Sequence, residues 1–296
     1  PSRPVKLIVG FAPGGVADLT ARIVAEKLSS LLGQQVIVDN RPSAGGIVAA
    51  DAVAKPEPDG HTLLLMSNGN AISASLFRTL PFDIRRDFTP VSTLGTFDVA
   101  VVTNPQSQLA TVPQILAYAK AHPGKLNIGT INTGSTQNLA AELFRSMTGI
   151  DATVVPYKGS PALVSALRGG DVQVAFEMLA PILPQAQAGA VTLVAVAAER
   201  RTPALPDVPT VSESGVAGYS ASSWNALAVP ARTPRAVVER LHLAVTQALA
   251  DPDVQRKLAA QGVAARASTP EAMRQLLDAD IEKWRRVIRD ARIEPQ

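Results

Sequence analysis

The chain has 296 residues, 46% of them hydrophobic and 18% charged, with no cysteine and a formal net charge of +3. That length accommodates two domains, and the composition is too apolar and too sparsely charged for a disordered chain or a long coiled coil. Disulfides, thiolate nucleophiles and cysteine metal sites are excluded, and the dispersed basic residues with only 4% aromatics do not form the stripe that nucleic acid requires.

Pro1 to Pro4 lead directly into a strand pattern, with no signal peptide visible. The longest strongly apolar runs, such as Val191 to Ala198, fall far short of the ~20 residues that span a bilayer. Val5 to Gly10 is a short apolar run that predicts a buried strand, broken by Phe11-Ala12-Pro13-Gly14-Gly15. Leu19, Ile23, Leu28, Leu31 and Leu32 then fall at helical spacing, and Gly33 stops that helix. Gln35 to Val38 predicts a second strand. Arg41 to Gly46 leads into a helix through Ala54, Pro56 to Gly60 is a turn, and His61 to Met66 is a third strand ending in Ser67-Asn68-Gly69-Asn70.

The same order returns downstream. Leu126 to Gly129 predicts a strand, Thr130 to Ser135 a loop, and Leu139, Leu143, Phe144 and Met147 a helix closed by Gly149. Thr153 to Val155 is a strand, Pro156 to Ser160 a loop, the next helix runs to Leu167, and Val172 to Phe176 is a third strand. After Trp224 the pattern is helical: Pro234 to Leu249, Asp251 to Ala260, and a long last helix with Thr269 at its N-cap and Pro270 in its first turn. Short links between strands and helices favour parallel sheets with right-handed crossovers. Two β-α-β-α-β units predict two α/β lobes, residues 1–100 plus 229–296 and residues 101–228, with crossings near Ala100 to Thr103 and Asn225 to Val229. Ligands of open α/β sheets bind outside the carboxyl ends of the strands, so two facing lobes would share one cleft.

Each candidate site residue has two readings. Phe11, Ala12, Gly14 and Gly15 form either a tight turn or a backbone cradle for an anion at a helix N-terminus. Asp18, in the first helical turn, either complements the helix dipole or accepts a ligand's ammonium or hydroxyl. Ser67 and Asn68 follow a strand end. The Gly129 to Ser135 segment lacks the lysine of a phosphate loop, which argues against a nucleoside triphosphate. It leaves Asn132, Gly134, Ser135 and Thr136 as donors at a helix start, where Ser135 or Thr136 also serves as a cap. Lys158, beside Tyr157, either reaches an anion or is solvated, and Glu177 either faces the cleft or is a surface carboxylate at a strand end. His61, His122 and His242 share no metal-ligand spacing, and no nucleophile-base set is evident, so neither metal, cofactor nor catalysis is expected.

In this order, several segments resemble the Bug-type periplasmic solute receptors of tripartite tricarboxylate transporters. They are Pro4 to Val9 with Phe11 to Gly15 and Asp18, Val38 to Gly46, Lys55 to Gly60, Pro81 to Phe88, His122 to Leu126, Val155 to Gly159 and Leu205 to Val211. The resemblance implies a type II periplasmic binding protein fold, two lobes each with a mainly parallel sheet, joined by a hinge that closes over the ligand. It implies a small organic carboxylate (a dicarboxylate, an acidic amino acid, a citrate-like acid or a pyridine or aromatic carboxylate) held by the two strand-to-helix loops with bridging waters. It also implies a periplasmic monomer, exported with a leader since removed, that serves a membrane permease. Val16, the Gln137-Asn138 pair and Glu177 depart from the family pattern of Gly, Ser-His and Asp. The competing readings are an α/β enzyme acting on an acidic metabolite and a sensory receptor of the same fold.

Overall fold

The computed structural model describes residues 1–296. The chain divides into two compact units: Pro1–Thr96 with Trp224–Arg285 and Glu294–Gln296, and Phe97–Ser223 with Arg286–Ile293. No helix is long and apolar enough to cross a membrane.

Unit 1 is built on β1 (Val5–Val9), β2 (Val36–Asn40) and β3 (Thr62–Ser67), separated by α1 (Val16–Leu32) and α2 (Ile47–Ala54). Strand β1 is central, parallel to β2 through Leu7↔Val38 and to β3 through Leu7↔Leu63. A parallel pair needs a crossover, and the helices supply it. After β3 comes α3 (Asn68–Leu76), a helix where the sequence pattern suggests only a strand end. Its start is concealed because Ser-Asn-Gly-Asn is turn-like in composition. What makes it helical is a capping box: Ser67 Oγ accepts from Gly69 N, and Asn70 Oδ1 accepts from Ser67 N at 2.9 Å. The long strand β4 (Phe88–Thr103), also absent from the sequence reading, crosses from unit 1 into unit 2.

Unit 2 repeats the plan. Helix α4 (Val112–Ala121) precedes β5 (Leu126–Thr130), α5 (Thr136–Thr148), β6 (Ala152–Pro156), α6 (Ser160–Gly169), β7 (Val174–Met178), α7 (Leu179–Gln187) and β8 (Thr192–Val196). Strand β5 is parallel to β6 and β7, while β4 is antiparallel to both β7 and β8. Strand β7 starts two residues later than its apolar run predicts. The backbone before it is still closing α6, with Asp171 and Val172 N–H both donating to Ala166 O. Strand β9 (Ser222–Pro230) returns to unit 1 and lies antiparallel to β3. There follow α8 (Arg235–Ala250), α9 (Pro252–Ala260), the short β10 (Ala264–Ala265) against β4, and α10 (Pro270–Asp290). The expected Thr269 cap of α10 is present, its hydroxyl accepting from Ala272 N at 3.1 Å.

One core of unit 1 lies on the face of Ile8, Leu64, Met66, Ala226 and Ala228, covered by Ala49, Ala50 and Val53 of α2 and by Met273, Leu277 and Ile281 of α10. In unit 2, Val102 and Ala175 pack under Leu163 and Leu167 of α6 and Ile182 of α7. Phe144 of α5 meets Phe176 at 5.6 Å and Tyr219 edge-on at 6.2 Å between ring centroids. The fully buried Tyr219 hydroxyl donates to Ala140 O at 2.7 Å, and burial pushes its pKa up. Tyr219→Phe removes that donor without opening a cavity. It should cost about 1–2 kcal/mol in denaturant unfolding, with an unchanged m-value.

Candidate functional site

Both units carry the same strand-turn-helix device at the carboxyl edge of the parallel sheet. In unit 1 the turn runs from β1 to α1. Gly14 takes φ +95°, a conformation that side chains rarely adopt. Its N–H points back to Asp18 Oδ2 at 2.9 Å. In unit 2 the turn runs from β5 to α5. Gly134 takes φ +84° and its N–H donates to Asn138 Oδ1 at 3.2 Å. In each case a glycine is locked by an acceptor four residues on.

Asp18 is buried, 2% exposed, and its carboxylate is fully engaged by the protein. Besides Gly14 it accepts from Asn40 Nδ2 at 2.9 Å and from Arg22 Nε at 3.0 and 3.1 Å. Asn40 Nδ2 also reaches Phe11 O at 3.0 Å, and Arg22 closes the ring by donating to Asn40 Oδ1. Burial pushes the Asp18 carboxyl up, but hydrogen bonds from Gly14, Asn40 and Arg22, with the Arg22 charge, outweigh it and hold it below the ordinary value. Asp18 is therefore the brace of the turn.

The brace takes the Gly14 donor and leaves others. Gly15 is the N-cap of α1 and provides no side-chain cap, and the N–H groups of Gly15, Val16 and Ala17 have no partner within the chain. They are the orphan donors of a 17-residue helix, with its dipole behind them. Phe11, Ala12, Gly14 and Gly15 are all exposed around that opening.

Unit 2 is wired differently. Ser135 caps α5, accepting from Asn138 N at 3.1 Å, and Asn138 Nδ2 donates to Thr130 Oγ1 at 3.1 Å. Ser135 N is tied to Asn132 O, and the Thr136 and Ser223 hydroxyls lie 3.3 Å apart. Glu177 is not a surface carboxylate. It is 1% exposed within β7, and accepts from Gln137 Nε2 at 3.0 Å, Ser160 Oγ at 2.6 Å and Met178 N at 2.7 Å. It thereby joins β7 to the starts of α5 and α6. Tyr157 leans on the unit 2 core, its phenol pushed up by burial and then by Asp171. Lys158 is exposed and forms no ion pair.

Ser67 and Asn68, at the end of β3, are buried, and Asn68 Oδ1 accepts from Trp284 Nε1 at 2.9 Å. No arginine occurs in any of these turns, and Arg22 of α1 is committed to Asp18 and Asn40. Sequence reading passed over Arg22, gave Asn40 and Ser160 no role, and marked Gln137 and Asn138 only as departures from the family pattern. For Arg22 the signal was the i,i+4 spacing from Asp18. Asn40, Gln137 and Ser160 hold partners 17 to 40 residues away, whereas Asn138 bonds Gly134, four residues back, and Thr130, eight back. Two open grooves, of about 780 Å³ beside Arg78 to Asp87 and about 620 Å³ beside Arg145 to Ala152, contain none of the candidate residues. The donor-rich turns therefore guide the functional assignment, not groove volume.

The model of the tripartite tricarboxylate transporter family receptor matches residues 20–293. The chain belongs to this family. It is 36% identical to Protein BugT of Bordetella pertussis over 98% of this chain and 90% of that protein. Among solved structures, an R. palustris protein with adipate is 34% identical, with a TM-score of 0.89, covering 100% of this chain and 99% of that one. MatC from Rhodopseudomonas palustris with bound malate is 32% identical, with a TM-score of 0.85, covering 97% and 99%. The chain is thus a solute-binding receptor with the α/β periplasmic binding protein fold, and not an enzyme.

Proposed function

We propose that this receptor captures a small organic carboxylate and delivers it to a membrane permease of the tripartite tricarboxylate type, working as a periplasmic monomer. The observation that carries the reading is the uncapped start of α1, three unpartnered N–H groups behind a braced glycine turn with no free guanidinium nearby. Such a turn recognises an anion by backbone donors and a helix dipole. The relatives solved with adipate and malate support the carboxylate class.

Phe11, Ala12, Gly14 and Gly15 form the unit 1 part of the proposed site, with Ser67 and Asn68. Asn132, Gly134, Ser135, Thr136, Tyr157 and Lys158 form the unit 2 part, while Asp18 and Glu177 hold those turns in shape. A thermal-shift screen of dicarboxylates, citrate-like acids, acidic amino acids and aromatic carboxylates tests the reading. At a hundredfold excess over Kd the ligand should add about 2.7 kcal/mol of stability. The same ligand should be recovered unchanged. A screen with no shift, or turnover of the ligand, would remove the proposal.

A further inference from the structure

Asn40, the last residue of β2, commits its whole side chain to the turn before α1. Its Nδ2 donates twice, to Phe11 O at 3.0 Å and to Asp18 Oδ1 at 2.9 Å, and its Oδ1 accepts from Arg22 Nη2 at 2.9 Å. Only a primary amide offers two donors and an acceptor on so short a stem. Aspartate would set a second carboxylate against Asp18, and leucine, of similar shape, would leave all three partners unmet. The main chain repeats the attachment alongside, Arg41 N donating to Val9 O at 2.7 Å. The carbonyls of Val9 and Phe11 are therefore both anchored to the end of β2.

The anchored turn has a competitor in its own sequence. The segment before α1 reads Ala12-Pro13-Gly14-Gly15. Proline is favoured at the first position of a helix, where its φ is preset and its missing N–H is not needed. Intrahelical bonds run from each N–H to the carbonyl four residues back. In a helix started at Pro13, Val16 N–H would close on Ala12 O and Ala17 N–H on Pro13 O. Those two donors stand open in the structure. The open end of the helix would move by about 4.5 Å along its axis, and Pro13 brings no N–H to replace them.

The shape of the turn opposes that extension. Gly14 is at φ +95°, outside the helical region, with its N–H on Asp18. Rolling Ala12 to Gly15 into a helical turn shortens the chain to about 1.5 Å per residue, against about 3.3 Å when extended, and draws Phe11 off β2. Asn40 resists at both ends, because the same Nδ2 holds Phe11 O and Asp18.

We propose that Asn40 is a positioning residue of the anion turn: it keeps α1 from winding back to Pro13, and so keeps the Val16 and Ala17 N–H groups free for the ligand. It acts through Phe11 and Asp18 and not by contact with the anion. The inference rests on the carboxylate-receptor reading above and adds to it the device that preorganises the donors.

Amide hydrogen exchange by NMR on the full chain tests it, ligand-free and with succinate, citrate, glutamate or benzoate added. In the ligand-free wild type, Val16 and Ala17 should exchange within about threefold of the rates of an open chain. In Asn40→Leu and Asn40→Ala they should be protected about tenfold or more without ligand. The acid that binds the wild type should bind these variants about tenfold more weakly, since the competent fraction of the chain has fallen. Pro13→Gly added to Asn40→Leu weakens the helix start and should return both exchange and affinity toward the wild type. A merely structural role for Asn40 predicts the reverse, faster exchange along α1 with no rescue. Protection already present in the ligand-free wild type, open amides in both variants, or variants that do not fold overturn the inference. An acid that protects Val16 and Ala17 of the wild type leaves the receptor reading standing whatever the variants do. If no acid binds, or one binds without protecting these amides, the carboxylate reading falls and this inference with it.

Discussion

Gly15→Val is expected to weaken carboxylate binding at least a hundredfold while leaving the fold intact. Gly15 has φ −81°, which any residue adopts, and a Cβ built there meets nothing within 4 Å. The free chain therefore accommodates the side chain. Valine is a poorer N-cap than glycine, but it also lowers the entropy of the unfolded chain, so the net change should stay within about 1 kcal/mol. The ligand meets a different surface. A branched side chain at the mouth of α1 covers the N–H groups of Val16 and Ala17. Hydrogen bonds to a charged group contribute about 1.5–3 kcal/mol each, so losing two costs two decades of affinity or more. Lys158→Met is the paired control: its ammonium is exposed and unpaired, and its loss should change affinity less than threefold. Isothermal titration decides between the two. An intact Gly15→Val together with a dead Lys158→Met would mean that a side-chain cation, and not the helix start, holds the anion.

Asp18→Ala should cost about 2–3 kcal/mol of stability and reduce binding as well. The substitution leaves the Gly14 N–H, the Asn40 amide and the Arg22 guanidinium without their common acceptor. Removing one partner of a buried network costs more than the network contributes, though Arg22, half exposed, recovers some hydration. Freed from its brace, the Gly10–Gly15 turn no longer presents the α1 donors in one geometry. Asp18→Asn retains an acceptor for Gly14 and should lie between wild type and Asp18→Ala. The acid limb of stability separates charge from shape. The folded pKa of Asp18 is below its unfolded value, so its contribution is full above the ordinary carboxylate range and is lost as pH falls through the folded value. Asp18→Asn should therefore show a shallower loss of stability on acidification than wild type, measured by urea unfolding across that range. Equal slopes would mean that folding does not shift the Asp18 carboxyl from its unfolded value.

The mirrored turn of unit 2 uses a neutral acceptor at the equivalent place. Asn138 does for Gly134 what Asp18 does for Gly14, with Thr130 as its anchor in place of an arginine. The buried carboxyl group of unit 2 is that of Glu177, held only by neutral donors. The two units therefore share a backbone device and differ in where they place their buried carboxylate.

The repeated β-α-β-α-β order, the helix stops at Gly33 and Gly149, the cap at Thr269 and the glycine turns at Gly14 and Gly134 were legible along the chain, because each depends on neighbours within a few residues. Apolar period and turn chemistry are local properties, and they suffice to place strands, helices and the donor-rich turns between them. The start of α3 was hidden because its cap is built from residues that also make turns. The bracing of Asp18 by Asn40 and the burial of Glu177 between Gln137 and Ser160 join residues 17 to 40 positions apart. Hydrogen-bond satisfaction is a property of three-dimensional neighbours, so which polar groups are spent on the protein and which remain for a ligand was decided only by the tertiary structure.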